Sequence, residues 1–142
     1  GLEHRIEFVG KIGKTKFYND SKATNINSTI TAVNAFNEDI TLLLGGSDKK
    51  ENFAFLFRRL PKNVKKIVTF GKMAKKIYIH GINSGFNNIA MAENLEDAFN
   101  SVCKNLSTEV VLLSPACASF DEFDNYEERG AYFKYLVKGL IE

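Results

Sequence analysis

The stretch that decides the fold is Val110-Val111-Leu112-Leu113-Ser114-Pro115-Ala116-Cys117-Ala118-Ser119-Phe120-Asp121. Its apolar run, from Val110 to Leu113, predicts a strand that is covered on both faces. The small residues that follow predict that the strand ends there in a loop. Ligands of open α/β sheets bind in the crevice at the carboxyl ends of the strands. We therefore expect a ligand site at this point of the chain.

Two earlier stretches have the same design, in which a strand is followed by a polar loop. The loop Asn19-Asp20-Ser21-Lys22-Ala23-Thr24-Asn25 follows an alternating segment, and Leu44-Gly45-Gly46-Ser47-Asp48-Lys49 ends the apolar run that starts at Ile40. Three strand ends with polar loops predict one composite polar site.

The rest of the sequence predicts a hairpin and then strands and helices in alternation. The hairpin runs from Arg5 to Val9 and from Lys14 to Tyr18, with Gly10 and Gly13 between. Further strands are expected from Ile40 to Leu44, Ile67 to Phe70, Asn88 to Met91 and Glu109 to Leu113. Helices are expected from Asn25 or Asn27 to about Phe36, from Asn52 to Leu60, Met73 to His80, Leu95 to Leu106 and Tyr126 to Ile141, the last with Phe133, Leu136, Val137 and Leu140 inward. This order predicts an α/β fold with a Rossmann-like, mostly parallel, doubly wound sheet and an N-terminal hairpin.

The length, net charge and residue content of the chain disfavour several classes of function. The 142 residues fit a single domain, and the net charge of +2 is too small to indicate binding to nucleic acid or to an anionic membrane. No apolar run is long enough to span a bilayer, and two cysteines without a CxxC pattern favour a reducing cytoplasm. His4 and His80 are isolated, so we expect no metal site in this chain. Because the chain begins at Gly1 and runs straight into a strand, we expect it to be part of a longer protein.

The predicted loops contain groups that suit a small anion. Lys22 and Lys49 could bind a dicarboxylic acid or a phosphoryl group, although on residue type alone each is more typical of a surface lysine. Asp20 could accept hydrogen bonds from ribose hydroxyls or be a turn residue, and Thr24 and Ser119 could donate to a carboxylate or cap a helix. Neither GxGxxG nor GxxxxGK[ST] is present. Residue chemistry therefore indicates an anion-binding α/β domain without identifying a reaction.

Four motifs, taken together, resemble the C-terminal domain of the Mur ligases. They are Gly1-Leu2-Glu3-His4-Arg5, Asn19 to Asn25, Leu43 to Lys49, and Leu112 to Asp121, and Tyr126-Glu127-Glu128-Arg129-Gly130 continues the pattern. They occur in the family's order and spacing, and the fourth resembles the branch that adds D-glutamate.

The resemblance implies an ATP-dependent ligase that joins D-glutamate to UDP-N-acetylmuramoyl-L-alanine through an acyl phosphate, in peptidoglycan precursor synthesis. Residues 1–142 would form the C-terminal domain, and the UDP-sugar and central ATPase domains would lie outside the chain. ATP and Mg²⁺ are the expected cofactors, with the metal ligands on the central domain. We expect the full-length enzyme to be a cytoplasmic monomer whose partners are its three substrates, and the chain alone to be inactive.

The resemblance also assigns roles to individual residues. D-Glutamate would be bound by Thr24, Lys49, Ser119, Phe120 and Tyr126; the nucleotide would be reached by Arg5 and Asp20; and Lys22 would lie near the reacting groups as the catalytic residue. In one departure from the family, Lys50 follows Lys49 where glycine is common, which leaves open which lysine points inward.

Two other functions remain in competition with this one. The chain could be a stand-alone α/β anion-binding module, or it could belong to a ligase of the same superfamily that uses another amino acid. On residue type alone, Phe120 and Tyr126 are more typical of a core than of a pocket wall. A Rossmann dehydrogenase is disfavoured because the glycine fingerprint is missing.

Overall fold

The computed structural model describes residues 2–47 and 51–141. The strands are β1 (Glu7–Ile12), β2 (Thr15–Asn19), β3 (Ile40–Gly45), β4 (Val64–Phe70), β5 (Ile89–Met91) and β6 (Val110–Ala116). The helices are α1 (Ile26–Val33), α2 (Phe53–Arg59), α3 (Ala74–Asn83), α4 (Leu95–Cys103) and α5 (Tyr126–Ile141). All the predicted elements are present.

The strands form one six-stranded sheet in the order β1-β2-β6-β3-β4-β5. β1 pairs with β2 in antiparallel orientation, and every other pairing is parallel. The hairpin turns at Gly13, which has a φ of +61°. The predicted α/β class and mostly parallel sheet with an N-terminal hairpin are confirmed.

Helices cover both faces of the sheet, as the doubly wound prediction requires. β3 and β6 are buried along their whole length, which explains their continuous apolar sequences. One core lies under α1, α2 and α3 and includes Ile26, Val33, Phe53, Leu56, Met73 and Ile77. The other lies under α4 and α5 and includes Leu95, Phe99, Val102, Phe133 and Val137.

Asparagine side chains fix the starts of three helices. Asn25, Asn52 and Asn94 each accept a hydrogen bond from the N–H three residues further on, at the starts of α1, α2 and α4. Such caps satisfy N–H groups that have no partner within the helix. The caps at Asn25 and Asn52 are as predicted.

Several element ends differ from the prediction. β6 continues past Leu113 to Ala116, because Ala116 pairs with Gly45 of β3 and its N–H donates to the Ala23 carbonyl at 3.0 Å. Leu140 is 53% exposed rather than inward, since Val137 is the last buried residue of α5 and the final turn extends past the core. Other predicted boundaries move by a few residues: β1 and β2 start later, α1 ends at Val33, β4 begins at Val64, α3 continues to Asn83 and α4 ends at Cys103.

Within residues 2–47 and 51–141, every helix falls short of the length and apolar character that a membrane crossing would need.

We expect Phe133→Ala to lower the free energy of unfolding by about 3–5 kcal/mol, because Phe133 is fully buried and packs edge-on against Phe99. Leu140→Ala, on the exposed end of the same helix, should change it by less than about 0.5 kcal/mol. Urea unfolding of both variants measures the two values. Equal losses would contradict the placement of α5.

Candidate functional site

The three predicted loops lie side by side. They follow β2, β6 and β3, which are adjacent parallel strands, so their carboxyl ends meet at one edge of the sheet. Backbone hydrogen bonds join the loops directly: the Ala116 N–H donates to Ala23 O at 3.0 Å, and the Ser47 N–H donates to Ala118 O at 2.8 Å. The composite arrangement expected from the sequence is therefore present.

A cavity of about 400 Å³ opens beside the loop that follows β2. Four of the predicted site residues line it: Arg5, Asp20, Lys22 and Thr24. Arg5 and Lys22 are exposed and cationic, whereas Asp20 is buried and Thr24 is partly buried. The cavity is thus lined by two cationic residues and by three residues with hydroxyl groups, Thr24, Ser28 and Thr31, all of which suit an anionic ligand.

Asp20 supports the wall of this cavity. Its Oδ1 accepts a hydrogen bond from the Ile6 N–H at 3.0 Å, and its Oδ2 accepts one from the Ser114 hydroxyl at 2.7 Å. Burial raises the pKa of Asp20 and outweighs the opposing effects of Ser114, Ile6 and Arg5. Each carboxylate oxygen can still accept a second hydrogen bond, so Asp20 both holds the wall and can receive a ligand hydroxyl.

The backbone around Arg5 is strained. His4 and Ile6, on either side of it, have φ values of +65° and +42°. Positive φ is costly for a β-branched residue such as Ile6, and strain of this kind clusters at functional sites. The hydrogen bond from Ile6 to Asp20 holds the segment in this form, which directs Arg5 to the cavity.

His4 is the buried anchor of the same segment. Its Nδ1 lies 2.9 Å from Asn19 Nδ2, and its carbonyl accepts a hydrogen bond from the Lys22 N–H at 3.0 Å. It can lie this close to α5 because residue 130 is glycine: a Cβ on Gly130 would collide with His4 Nδ1.

A cluster of three charged residues, Glu3, Glu7 and Lys134, connects the segment around Arg5 to α5. Lys134 Nζ on α5 lies 2.7 Å from Glu3 Oε2 and 3.2 Å from Glu7 Oε2. Burial acts to raise the pKa of Glu7, but hydrogen bonds from the His4 N–H, Lys134 and Asn19 outweigh it and lower that pKa. Burial acts to lower the pKa of Lys134, but its hydrogen bonds to Glu3 and Glu7 raise it.

Tyr126 joins the cavity to the start of α5. Lys22 Nζ lies 5.9 Å from the centroid of its ring, within range of a cation–π contact, and the His4 ring meets it edge-on at 6.1 Å. Tyr126 is partly buried. It therefore restrains the ammonium group of Lys22 beside the cavity.

Ser119 is buried, and its hydroxyl is the one buried side-chain polar atom in residues 2–47 and 51–141 that has no hydrogen-bond partner. Its carbonyl accepts hydrogen bonds from the N–H groups of Glu122 and Phe123, which form a tight turn. A buried hydroxyl without a partner is rare because it loses its hydrogen bonds to water. The loop after β6 therefore contains a buried hydroxyl whose hydrogen-bonding capacity is unused within the described residues.

The remaining predicted residues are placed differently. Phe120 is 72% exposed, so it is not part of the core. Ser119, Phe120 and Tyr126 are not among the residues that line the cavity. Lys49 and Lys50 lie outside the described residues, and the choice between them stays open. The chain leading to them passes through Gly45 and Gly46, whose φ values of +150° and +143° lie in the region that favours glycine.

Sequence reasoning gave no role to Arg129, which is completely buried among these loops. Its Nε donates to Ser21 Oγ at 2.9 Å, its Nη1 to Cys117 O at 2.8 Å and its Nη2 to Ser21 O at 2.7 Å. One signal was available: Arg129 precedes Phe133 and Val137 at intervals of four, which places it on the inward face of α5. Its neighbours Glu127 and Glu128 are charged residues of the kind that is typical of a solvated helix face, which masks this signal.

Comparisons with known proteins show which family the chain resembles. A family model described as Mur ligase, glutamate ligase domain, matches residues 4–117. A UDP-N-acetylmuramoylalanine--D-glutamate ligase from Halalkalibacterium halodurans is 43% identical over 143 residues, covering 100% of this chain and 32% of that protein. The chain spans about a third of the length of the curated relatives that it matches.

Solved structures share the fold. A folylpolyglutamate synthase from Thermotoga maritima has a TM-score of 0.68 at 17% identity, covering 100% of this chain and 32% of that chain. A bifunctional folylpolyglutamate synthase/dihydrofolate synthase with Mn, AMPPNP and L-glutamate bound has a TM-score of 0.65 at 15% identity, covering 94% of this chain and 32% of that chain. At these identities the likeness establishes the fold alone.

We expect Lys134→Met to lower the free energy of unfolding by about 1 kcal/mol at pH 7, mainly through the loss of the Glu7 pair. Because the pKa of Glu7 is lower in the folded state, this contribution is complete above the ordinary pKa of about 4.5 and is lost as the pH falls through the folded value. Urea unfolding at pH 7 and at pH 3 should show the difference between wild type and variant shrinking in acid. Lys138→Met, one turn further along α5, is the control and should have little effect at either pH. A difference that does not depend on pH would contradict the role of Glu7.

Proposed function

Since the chain belongs to the Mur ligase family, in which it is the glutamate ligase domain, we propose that it forms the C-terminal, amino-acid-binding domain of a ligase that adds D-glutamate to UDP-N-acetylmuramoyl-L-alanine. Relatives of that description, which match along essentially the whole chain, support the choice of substrate. The observation that carries the proposal is the buried, unpartnered hydroxyl of Ser119 at the edge where three strand-end loops meet. A ligand carboxylate would give that hydroxyl the acceptor it lacks.

The proposed reaction has two steps. A carboxylate oxygen of the alanyl group attacks the terminal phosphorus of ATP. The bond to ADP breaks, ADP leaves, and the product is an acyl phosphate. The free amine of D-glutamate then attacks the acyl carbon, and the tetrahedral intermediate collapses to the amide as the C–O bond to phosphate breaks. The domain contributes by holding the amine in attack geometry and by excluding water.

The D-glutamate subsite is proposed on the three loops. Lys49 would pair with a carboxylate of D-glutamate, Thr24 and Ser119 would donate hydrogen bonds from their hydroxyls, and Phe120 and Tyr126 would line the pocket. The exposed ring of Phe120 lies on the same loop as Ser119, which suits a wall that a ligand covers.

Lys22 is proposed as the catalytic residue near the reacting groups. Its contact with the Tyr126 ring keeps its ammonium group at the boundary between the cavity and the start of α5. A cation in this position would stabilise the negative charge that develops on the acyl phosphate oxygens during attack.

Nucleotide contact is assigned to the cavity. Arg5 would pair with phosphate oxygens, and the spare acceptor capacity of Asp20 would receive a ribose hydroxyl. The described residues contain no group of three or more His, Cys, Asp or Glu side chains that could hold a metal ion. We therefore assign no step to Mg²⁺ on this chain and propose that its ligands belong to the central ATPase domain.

We further propose that the full-length protein is a monomer in the cytoplasm, where ATP is available. The small net charge supports substrates, rather than nucleic acid or a membrane, as its partners.

Phosphate release by the full-length protein tests the function. With ATP and UDP-N-acetylmuramoyl-L-alanine present, we expect turnover with D-glutamate and none with L-glutamate, and none from residues 1–142 alone because the central domain is missing. Turnover with another amino acid would indicate a different ligase of the superfamily. No turnover with any amino acid would favour an anion-binding module.

We expect Ser119→Ala in the full-length protein to raise the KM for D-glutamate by about 10-fold or more, because a hydrogen bond to a charged group is lost. The melting temperature should not fall, since the Ser119 hydroxyl makes no hydrogen bond within the described part of the protein. Ser114→Ala is the matched control: it removes hydrogen bonds to Asp20 and Thr29 and should lower the melting temperature. An unchanged KM in Ser119→Ala would remove Ser119 from the substrate site.

A further inference from the structure

The Arg129 guanidinium connects parts of the chain that are far apart in sequence. Arg129 is in the first turn of α5, while its acceptors are Ser21, in the loop after β2, and the Cys117 carbonyl, in the loop after β6. Each of the three guanidinium nitrogens donates a hydrogen bond, at 2.7–2.9 Å. Two of the three loops of the site are therefore held by one side chain.

The loop after β3 also rests on this group. A Cβ on Gly46 would lie 3.2 Å from Arg129 Nη1 and would collide with the Ala118 carbonyl. Next along the chain, the Ser47 N–H donates to that same carbonyl at 2.8 Å. The loop that leads to Lys49 thus starts from a backbone packed against Arg129 and the segment that it holds.

Every residue proposed to bind D-glutamate is close in sequence to one of these contacts. Thr24 is three residues after Ser21, Ser119 and Phe120 are two and three residues after Cys117, and Lys49 is three residues after Gly46. Tyr126 is also connected to these contacts, because its carbonyl accepts a hydrogen bond at 2.7 Å from the Ser21 hydroxyl, the group to which Arg129 Nε donates.

We propose that Arg129 is a positioning residue for the D-glutamate subsite: it does not touch the substrate but sets the relative positions of the three loops whose side chains do. This inference rests on the proposed function for its substrate, and on the geometry of the loops for its mechanism.

The energetics favour a positioning role over simple stabilisation. No salt bridge of Arg129 is found in the part of the chain that the structure describes, although burial of a charge is costly unless it is compensated. Burial lowers the pKa of Arg129 to about 10, so it remains a cation at neutral pH. Its compensation comes from hydrogen bonds to two carbonyls and a hydroxyl and from the nearby charges of Asp121 and Glu122, and the hydrogen bonds hold Ser21 and Cys117 in a fixed relation to each other.

Lysine cannot reproduce this arrangement. Arginine donates from three nitrogens in a rigid plane, which matches acceptors that lie in different directions, whereas lysine donates from one point. Arg129→Lys should therefore keep the buried charge and lose part of the positioning.

The test uses the full-length protein with Arg129→Met, Arg129→Lys and Ser21→Ala. A displacement of about 1 Å can cost roughly 100-fold in rate, so for Arg129→Met we expect kcat/KM for D-glutamate to fall by about 10- to 100-fold, with a raised KM. The KM for UDP-N-acetylmuramoyl-L-alanine should change less than about twofold, because the proposed role of Arg129 concerns the D-glutamate subsite. A general loss of structure would raise both KM values. Arg129→Lys should have a kcat/KM for D-glutamate between those of the wild type and Arg129→Met. Ser21→Ala should lower kcat/KM for D-glutamate several-fold.

Val137→Ala is the matched control, because Val137 is buried on the same helix but packs only in the core. It should lower the melting temperature without altering the KM for D-glutamate. Amide hydrogen exchange gives a second readout: residues 20–24, 45–47 and 117–120 should exchange faster in Arg129→Met and not in Val137→Ala.

An unchanged KM for D-glutamate together with unchanged exchange in these loops would overturn the proposal. If Arg129→Met fails to fold, Arg129→Lys and Ser21→Ala decide by the same criteria. If the wild-type protein shows no turnover with D-glutamate, the proposed function fails, while the exchange data still decide whether Arg129 holds the loops.

Discussion

A guanidinium group that is removed from water must have acceptors fixed around it, and the burial of Arg129 imposes this requirement on the whole carboxyl edge of the sheet. Because its acceptors belong to two loops, the start of α5 cannot move without breaking hydrogen bonds to both. The first half of α5 carries further contacts of the same kind. Gly130 allows His4 to approach, and Lys134 binds Glu3 and Glu7. One helix therefore serves two purposes, since Phe133 and Val137 on it fill the core.

Backbone strain is concentrated where this network is densest. His4, Ile6 and Ala116 have positive φ, and all three lie at the edge of the sheet where the loops meet. Each such residue costs of order 1–3 kcal/mol and persists only if its surroundings determine it. Here the surroundings are specific hydrogen bonds: Ile6 to Asp20, Lys22 to His4, and Ala116 to Ala23. The core provides the stability that lets this edge keep a costly conformation.

The sequence predicted the elements well because their signals are local. Continuous apolar runs predicted the buried strands, and asparagines marked helix starts, both of which depend on residues close together in the chain. The insertion of β6 between β2 and β3 and its extension through Pro115 depend on pairing with distant strands, which no local pattern encodes. Arg129 was missed for a similar reason. A charged residue among acidic neighbours is normally solvated, and only the tertiary structure supplies the acceptors that permit its burial.

The use of three separate loops has an electrostatic rationale. In the proposed function the ligands are a nucleotide and an acidic amino acid, which are both anionic, and bringing them together in one site requires a cation for each, since like charges repel. Arg5 and Lys22 are exposed beside the cavity, and Lys49 follows β3 in the sequence. Placing the cations on different loops separates the anions, while a shared anchor keeps the separation constant. A fixed separation is what attack of an amine on an acyl phosphate needs, because misplacement of the reacting atoms by even 1 Å is costly. In the role proposed for Arg129, the buried guanidinium supplies rigidity between the loops, and the exposed cations are left to bind the ligands.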